Sequence, residues 1–148
     1  AEPILADLPR LHAALDRTPP EAVLVGRRDL RSNNSWMHNT ERLMPSTRTL
    51  TLRISPVDAA AVGLAEGERA RITSGTGVVE VPVTLTADMT AGTVALPHGW
   101  GHHGGWQRAN AAGGASSNVL ASSRPDDLEK LAAMSVLNGI PVRVERVA

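Results

Sequence analysis

Arg27, Arg28 and Arg31 stand beside Ser32, Asn33, Asn34, Ser35, Trp36 and His38 in the run GRRDLRSNNSWMHN, from Gly26 to Asn39. Guanidinium forks hold phosphate oxygens two at a time, and amide and hydroxyl side chains pair with ribose hydroxyls and purine edges. No apolar periodicity suggests burial, so the segment reads as a binding loop for a phosphate-bearing heterocycle. The plainer alternative is a solvated loop that satisfies its own backbone through Asx turns. At least one of the arginines is expected in a structural ion pair. Trp36 and His38 suit stacking on a ring or walling a pocket, and Trp36 suits a core position equally well.

A second such segment is PHGWGH, Pro97 to His102. Gly99 and Gly101 permit close backbone approach, while Pro97 and His98 present donors and acceptors to a ligand. His98 and His102 are four apart, with His103 adjacent, which raises the question of a metal. A glycine-rich run forms no helix to put them on one face, and no nearby carboxylate or thiolate completes a ligand set, so no metal site is expected. His102 and His103 are read as ordering the loop. No nucleophile with a matching base emerges, and Asp58 sits in a helix-start pattern as a capping or barrel residue, not a general base. GTGVV lacks the lysine and following helix of a phosphate loop.

The elements that carry these loops are short. Ala22–Val25 is an apolar run delivering the arginine-rich loop at its end. Thr49–Ile54 alternates Leu50, Leu52 and Ile54 with polar residues, as a half-buried strand does. Ser55-Pro56 predicts a brief helix closed by Gly63. Ala70–Thr73 and the alternating Val79, Val81 and Val83 flank a hairpin at Gly75 and Gly77, with Pro82 marking an edge or bulge. Thr93–Leu96 is a further strand. Gly99–Ser123 reads as a long functional loop, Asp126–Ala133 as one or two helical turns, and Ile140–Val147 as the last strand. Near the N-terminus, Asp7 and Pro9 predict a helix start, and Leu8, Leu11 and Leu15 share a face that packs on the barrel or on a neighbouring domain. Many short strands without a βαβ repeat argue for a small closed barrel over a dinucleotide-binding Rossmann fold.

The chain has 148 residues, which suits one domain with an appended helix. Net charge is zero, so a broad nucleic-acid footprint is not expected. Charge is nonetheless uneven: between Gly26 and Arg53 six arginines face only Asp29 and Glu41. That pattern predicts a local anion site. With no cysteine there is no disulfide, thiolate metal ligand or iron–sulfur cluster in this chain. No stretch is long and apolar enough for a membrane helix, and the expectation is a soluble, cytoplasmic protein without membrane contact.

From Val23 to Val144 the chain resembles the C-terminal dinucleotide-binding domain of the molybdopterin oxidoreductases, the family of formate dehydrogenase and periplasmic-type nitrate reductase. The motifs occur in order: GRR…RSNNSWMHN, the unit SPVDAAAVGLAEGERARITSGTGVVEVPV, PHGWGH, Asn118 followed by Leu120, and VLNGIPVRV. The resemblance implies a mainly β fold, a double-psi β-barrel with short peripheral helices spanning 22–148, after an N-terminal helical lead-in at 1–21. It implies the cofactor molybdopterin guanine dinucleotide, present as a pair around molybdenum or tungsten in the full-length enzyme. Its contacts would be Gly26, Arg27, Arg28, Arg31, Ser32, Asn33, Asn34, Ser35, His38, Pro97, His98, Gly99, Trp100 and Asn118, with no catalytic residue here. Preceding domains of the same polypeptide are implied partners, with electron-transfer subunits beyond them, and the parent activity is formate dehydrogenase-like. The alternative is a stand-alone small barrel that binds a protein or a nucleic acid, which zero net charge and the absence of Phe and Tyr disfavour for single strands.

Overall fold

A computed structural model describes residues 2–45, 48–104 and 107–147. Six strands close into a barrel: β1 (Ala22–Arg27), β2 (Leu52–Ile54), β3 (Arg69–Thr73), β4 (Val78–Leu85), β5 (Thr93–Pro97) and β6 (Ile140–Arg146), in the order β1-β5-β2-β4-β3-β6. Period-two alternation sends Leu24, Leu52, Ile54, Ile72, Val94 and Leu96 into the interior, and their partners outward. With no Phe or Tyr, these aliphatic side chains fill the barrel, and Trp100, Met44 and Leu120 join the same core from loops. Closure runs through β6, antiparallel to both β1 and β3, so the sheet leaves no long open edge.

Two pairings are parallel, β1 with β5 and β2 with β4, joined by crossovers as in a double-psi barrel. The first matters most for function. Gly26 lies beside Leu96 and Arg27 beside Pro97, and parallel strands end at the same rim. The arginine-rich loop and the PHGWGH loop therefore leave the barrel side by side, although some seventy residues separate them.

Peripheral helices are brief. In α3 (Pro56–Ala61), Ser55 Oγ accepts from the Asp58 amide at 3.1 Å, and Pro56 starts the first turn without needing a donor. Asp58 Oδ2 also accepts from the Gly92 amide at 2.9 Å, tying the helix to the start of β5. At the N-terminus, α1 (Glu2–Ala6) and α2 (Leu8–Leu15) keep Leu8, Leu11 and Leu15 exposed, so the apolar stripe does not pack on the barrel. Asp7 stands at the cap position, but its carboxylate takes Arg10 Nε at 2.7 Å instead of a helix amide.

Four expectations are corrected. The strand at Thr49–Ile54 shortens to Leu52–Ile54, because ladder pairing with β4 begins only at Leu52 against Val83; Leu50 still enters the core. Pro82 is at neither an edge nor a bulge. The Val83 amide donates to Glu68 O on the β3 side, so the Pro82 nitrogen faces the other way, where β2 has not yet begun. The 99–123 stretch contains α4 (Gln107–Ala112) and a 3-10 turn at Ser117–Leu120, around Gly105 and Trp106, which lie outside the described residues. Asp126–Ala133 is not helical beyond a 3-10 turn at Pro125–Asp127. Glu129 bridges to Met134, and its carboxylate accepts from the amides of Leu131 and Ala132, closing a tight turn.

Candidate functional site

Three sequence-distant segments meet at the rim where β1 and β5 end. Gly99, at φ +87°, lies so close to the arginine-rich loop that a Cβ there would fall 2.1 Å from Asn34 O. Only glycine tolerates both that backbone and that approach. Gly101 makes the same demand against the Ser116 amide, at 2.4 Å, which brings the Ser117–Leu120 turn and Asn118 to the rim. On the other side, the Gly26 amide donates to Asn138 Oδ1 at 2.7 Å, and a Cβ at Gly26 would lie 3.7 Å from His98 Cε1. A notch of about 20 Å³ is lined by Gly26, His98, Ser117, Asn118 and Leu137.

Beneath the loops lies a packed aromatic group. His38 is 1% exposed, and its Nδ1 is 3.1 Å from His102 Nε2, so one ring donates and the other accepts. Trp100 tilts against His38 with centroids 4.8 Å apart, and His102 meets it edge-on at 5.1 Å. Burial, then the neighbouring His102, hold the His38 pKa below the usual imidazole value. His102 thus orders the loop by clasping the other one. His103 is exposed.

The candidate residues divide by exposure. Arg28, Arg31, Asn33, Asn34 and Asn118 are open to solvent, as is Gly26, while Arg27, Ser35, His98 and Gly99 are half-buried. Arg28 Nη1 donates to Asn34 Oδ1 at 2.6 Å, and Asn33 and Asn34 hold left-handed backbone at φ 44° and 61°, so these three shape one ledge. Ser32, His38, Pro97 and Trp100 have enclosed side chains. The loop has few apolar residues, so these fill the space beneath it; Ser32 Oγ donates to Asp29 O at 3.0 Å. Trp36 is 81% exposed and therefore not core. Among the described residues none of Arg27, Arg28 and Arg31 makes the expected ion pair; Asp29 pairs instead with Arg48 from beyond the loop, its Oδ2 accepting from Arg48 Nε at 3.0 Å.

Sequence reasoning missed Asn138 and the clasp between His38 and His102. Asn138-Gly139 is a turn signal just before the last strand, which could have flagged the first. Asn39 Oδ1 accepts from the Ala109 amide at 3.0 Å, joining the loop to α4.

Polar satisfaction sets this rim apart. Arg27 Nε, His38 Nε2, His98 Nε2, Trp100 Nε1 and Asn110 Oδ1 are buried without a hydrogen-bond partner among the described residues. Buried polar groups are normally paired, so such a concentration fits a polar ligand laid against these loops. A larger cleft, about 770 Å³, lies elsewhere, between α2, the Gly75–Thr76 hairpin and residues 122–141. Its basic and acidic groups face one another, Arg10 lying 3.8 Å from Glu129, and none of the orphaned atoms lines it. Of the residues that carry these atoms, His98 lines the small notch. No group of three metal-ligating side chains occurs among the described residues.

Comparison with known proteins agrees with this geometry. Over 125 residues the chain is 29% identical to the arsenate respiratory reductase molybdopterin-containing subunit ArrA of Shewanella sp. (strain ANA-3), covering 78% of this chain and 14% of that protein. The acetylene hydratase from Pelobacter acetylenicus superposes with a TM-score of 0.73 at 19% identity, over 97% of this chain and 20% of that one, which shows the same fold. The chain thus spans about a seventh to a fifth of the length of these relatives. The family model described as Molydopterin dinucleotide binding domain matches residues 22–137, from the first residue of β1 to the residue before Asn138, and the chain belongs to that family.

Proposed function

We propose that the rim formed by the ends of β1 and β5 holds the guanine dinucleotide arm of a molybdopterin cofactor. Arg28 and Arg31 supply forked donors to phosphate oxygens. Asn33, Asn34, Ser35 and Asn118 pair with ribose hydroxyls and the guanine edge. Arg27 and His98 offer orphaned nitrogens, and Gly26 and Gly99 let backbone approach. Ser32, His38, Pro97 and Trp100 hold these groups in place from below. The observation that carries the reading is the convergence of three loops on one rim, where Arg27 and His98 hold buried nitrogens without a partner among the described residues.

Bound molybdenum or tungsten, held by the paired pterins, supplies the redox chemistry of such enzymes. This chain contains no cysteine to ligate it, so its own part is to bind and orient the nucleotide end. The parent protein is then a molybdenum or tungsten oxidoreductase, formate dehydrogenase-like and cytoplasmic. Residues 1–21 lead in from a preceding domain, 22–148 form the cofactor domain, and electron-transfer subunits are further partners. One named relative is a reductase and another a hydratase, so substrate choice belongs to other domains. No helix among the described residues is long and apolar enough to cross a membrane.

The test is cofactor retention. Replacing Arg28 and Arg31 together with Ala in the full-length protein should lower its pterin and metal content at least tenfold, since charge-assisted bonds to phosphate contribute about 1.5–3 kcal/mol each. Unchanged content would remove both residues from the site.

A further inference from the structure

The cleft of about 770 Å³ takes no part in the function proposed above, and its size falls within the roughly 300–1,000 Å³ of ligand clefts. Its floor is apolar and fixed. Leu120, 1% exposed, and Ile140 line it, and the turn that carries Leu120 is seated on the Gly75–Thr76 hairpin. A Cβ at Gly77 would lie 2.5 Å from Val119 O, and Thr76 Oγ1 donates to the same oxygen at 3.4 Å. Toward the cleft α2 presents Arg10, while Leu8, Leu11 and Leu15 stay exposed, so the helix does not fill the space with its own apolar side chains.

The carboxylates around this floor are mostly engaged, and the cations are not. Asp127 Oδ2 accepts from Ser122 Oγ at 2.6 Å. Glu129 accepts from two backbone amides and lies 3.8 Å from Arg10, which also binds Asp7. Arg17, Arg124 and Lys130 are exposed and have no side-chain hydrogen bond or ion pair among the described residues. Of the lining carboxylates, only Asp126 is likewise unengaged among the described residues. Three unpaired cations against one carboxylate, set around an apolar floor, attract acidic groups and repel a basic partner.

We propose that this cleft docks an acidic segment from another domain of the same full-length polypeptide. An apolar side chain of that segment rests on Leu120 and Ile140, and its carboxylates meet Arg17, Arg124 and Lys130. The chain spans about a seventh to a fifth of its relatives' length, so most of such a protein lies in other domains. Contacts between domains of one chain are more polar than permanent subunit interfaces, which suits a mixed site of this kind. The docking requires no nucleotide.

Lys130 is the only lysine in the sequence, and so a single chemical reporter for the cleft. In the full-length protein, a water-soluble carbodiimide joins amines to carboxylates already in contact with them. Mass mapping should find Lys130 linked, within one molecule, to an aspartate or glutamate outside these 148 residues. Links confined to Asp7 or Glu129, links to a second molecule, or no link at Lys130 would overturn the proposal. The chain alone tests the chemistry, by fluorescence anisotropy with a labelled peptide of alternating glutamate and leucine, against lysine–leucine and glutamate–serine peptides. The glutamate–leucine peptide should bind saturably and lose affinity as salt rises, the glutamate–serine peptide should bind more weakly, and the lysine–leucine peptide should not bind. Arg124→Ala with Lys130→Ala should weaken binding about tenfold, the loss of two exposed charge pairs. Arg42→Ala with Arg69→Ala, an equal loss of charge elsewhere, should bind as the parent chain does. Thermal melts accompany each variant, and Arg124→Gln with Lys130→Gln carries the test if the alanine pair does not fold. Equal weakening by the two double variants, or equal binding of the glutamate–leucine and lysine–leucine peptides, would overturn the site. Neither readout involves a nucleotide, so this docking site and the cofactor reading can each fail without the other.

Discussion

On the half of the barrel made by β3, β4 and β6, outward charges meet their opposites. Arg71 pairs with Glu80 at 2.7 Å, Arg146 with Glu68 at 2.7 Å, and Arg143 with Glu145 at 2.8 Å. At the rim and wall of β1, β5 and β2, by contrast, arginines exceed carboxylates, and buried nitrogens on Arg27, His98 and Trp100 find no partner among the described residues. The same chain balances its charges where only a closed barrel is required and leaves them unbalanced beside its glycine-stacked loops. A local surplus of donors in a chain of zero net charge therefore marks where an anionic partner belongs.

The sharpest way to break this contrast is steric. Gly99→Ala would combine an unfavourable left-handed backbone with a collision against Asn34 O, and should destabilise the chain by about 3 kcal/mol or more in urea unfolding. Gly63→Ala, at φ +68° with open space around it, should cost only the backbone strain, about 1 kcal/mol. Equal costs would mean that the rim loops are not locked together.

The next effect is the clasp between His38 and His102. The pKa of His38 is lower in the folded chain than in the unfolded one, so the unfolded chain takes up its proton first as pH falls. Its contribution to stability is complete above the unfolded value of about 6.5 and is lost as pH drops through the lowered folded value. Urea midpoints should therefore fall from pH 8 to pH 5, and His38→Gln should flatten that slope. An unchanged slope would show that the buried ring is not the group responsible.

Smallest of all should be the wall pairs. Glu68→Gln removes one exposed ion pair and should cost about 0.5 kcal/mol or less, with no effect on nucleotide binding. A binding loss there would erase the distinction between wall and rim.

Much of the barrel was legible because alternation is local. Leu52 and Ile54, Val79 to Val83, and Val142 and Val144 all announce their inward faces through period two. The binding loops were legible through composition: glycine, arginine and asparagine concentrate where regular structure stops. What stayed hidden depends on contacts between distant segments. Nothing near Val23 states that it lies parallel to Thr93, yet that register puts the two loops together. His38 looked like a ligand contact because its burial under Trp100 and beside His102 arises from a residue 64 positions away. Asp126–Ala133 looked helical on propensity, and Glu129 overrides it by capping a tight turn with its own carboxylate. Asn138 substitutes a side-chain oxygen for a strand partner of Gly26, which no pattern of hydrophobicity encodes.

The central claim, that the rim of β1 and β5 recognises the guanine end of the cofactor, is tested most directly by heteronuclear NMR titration of the chain with GMP and GDP against AMP and ADP. The account predicts guanine-selective shifts confined to Gly26–Asn39, Pro97–Trp100 and Asn118. Shifts centred on the larger cleft around Arg124 and Glu129, or equal responses to adenine and guanine nucleotides, would contradict it.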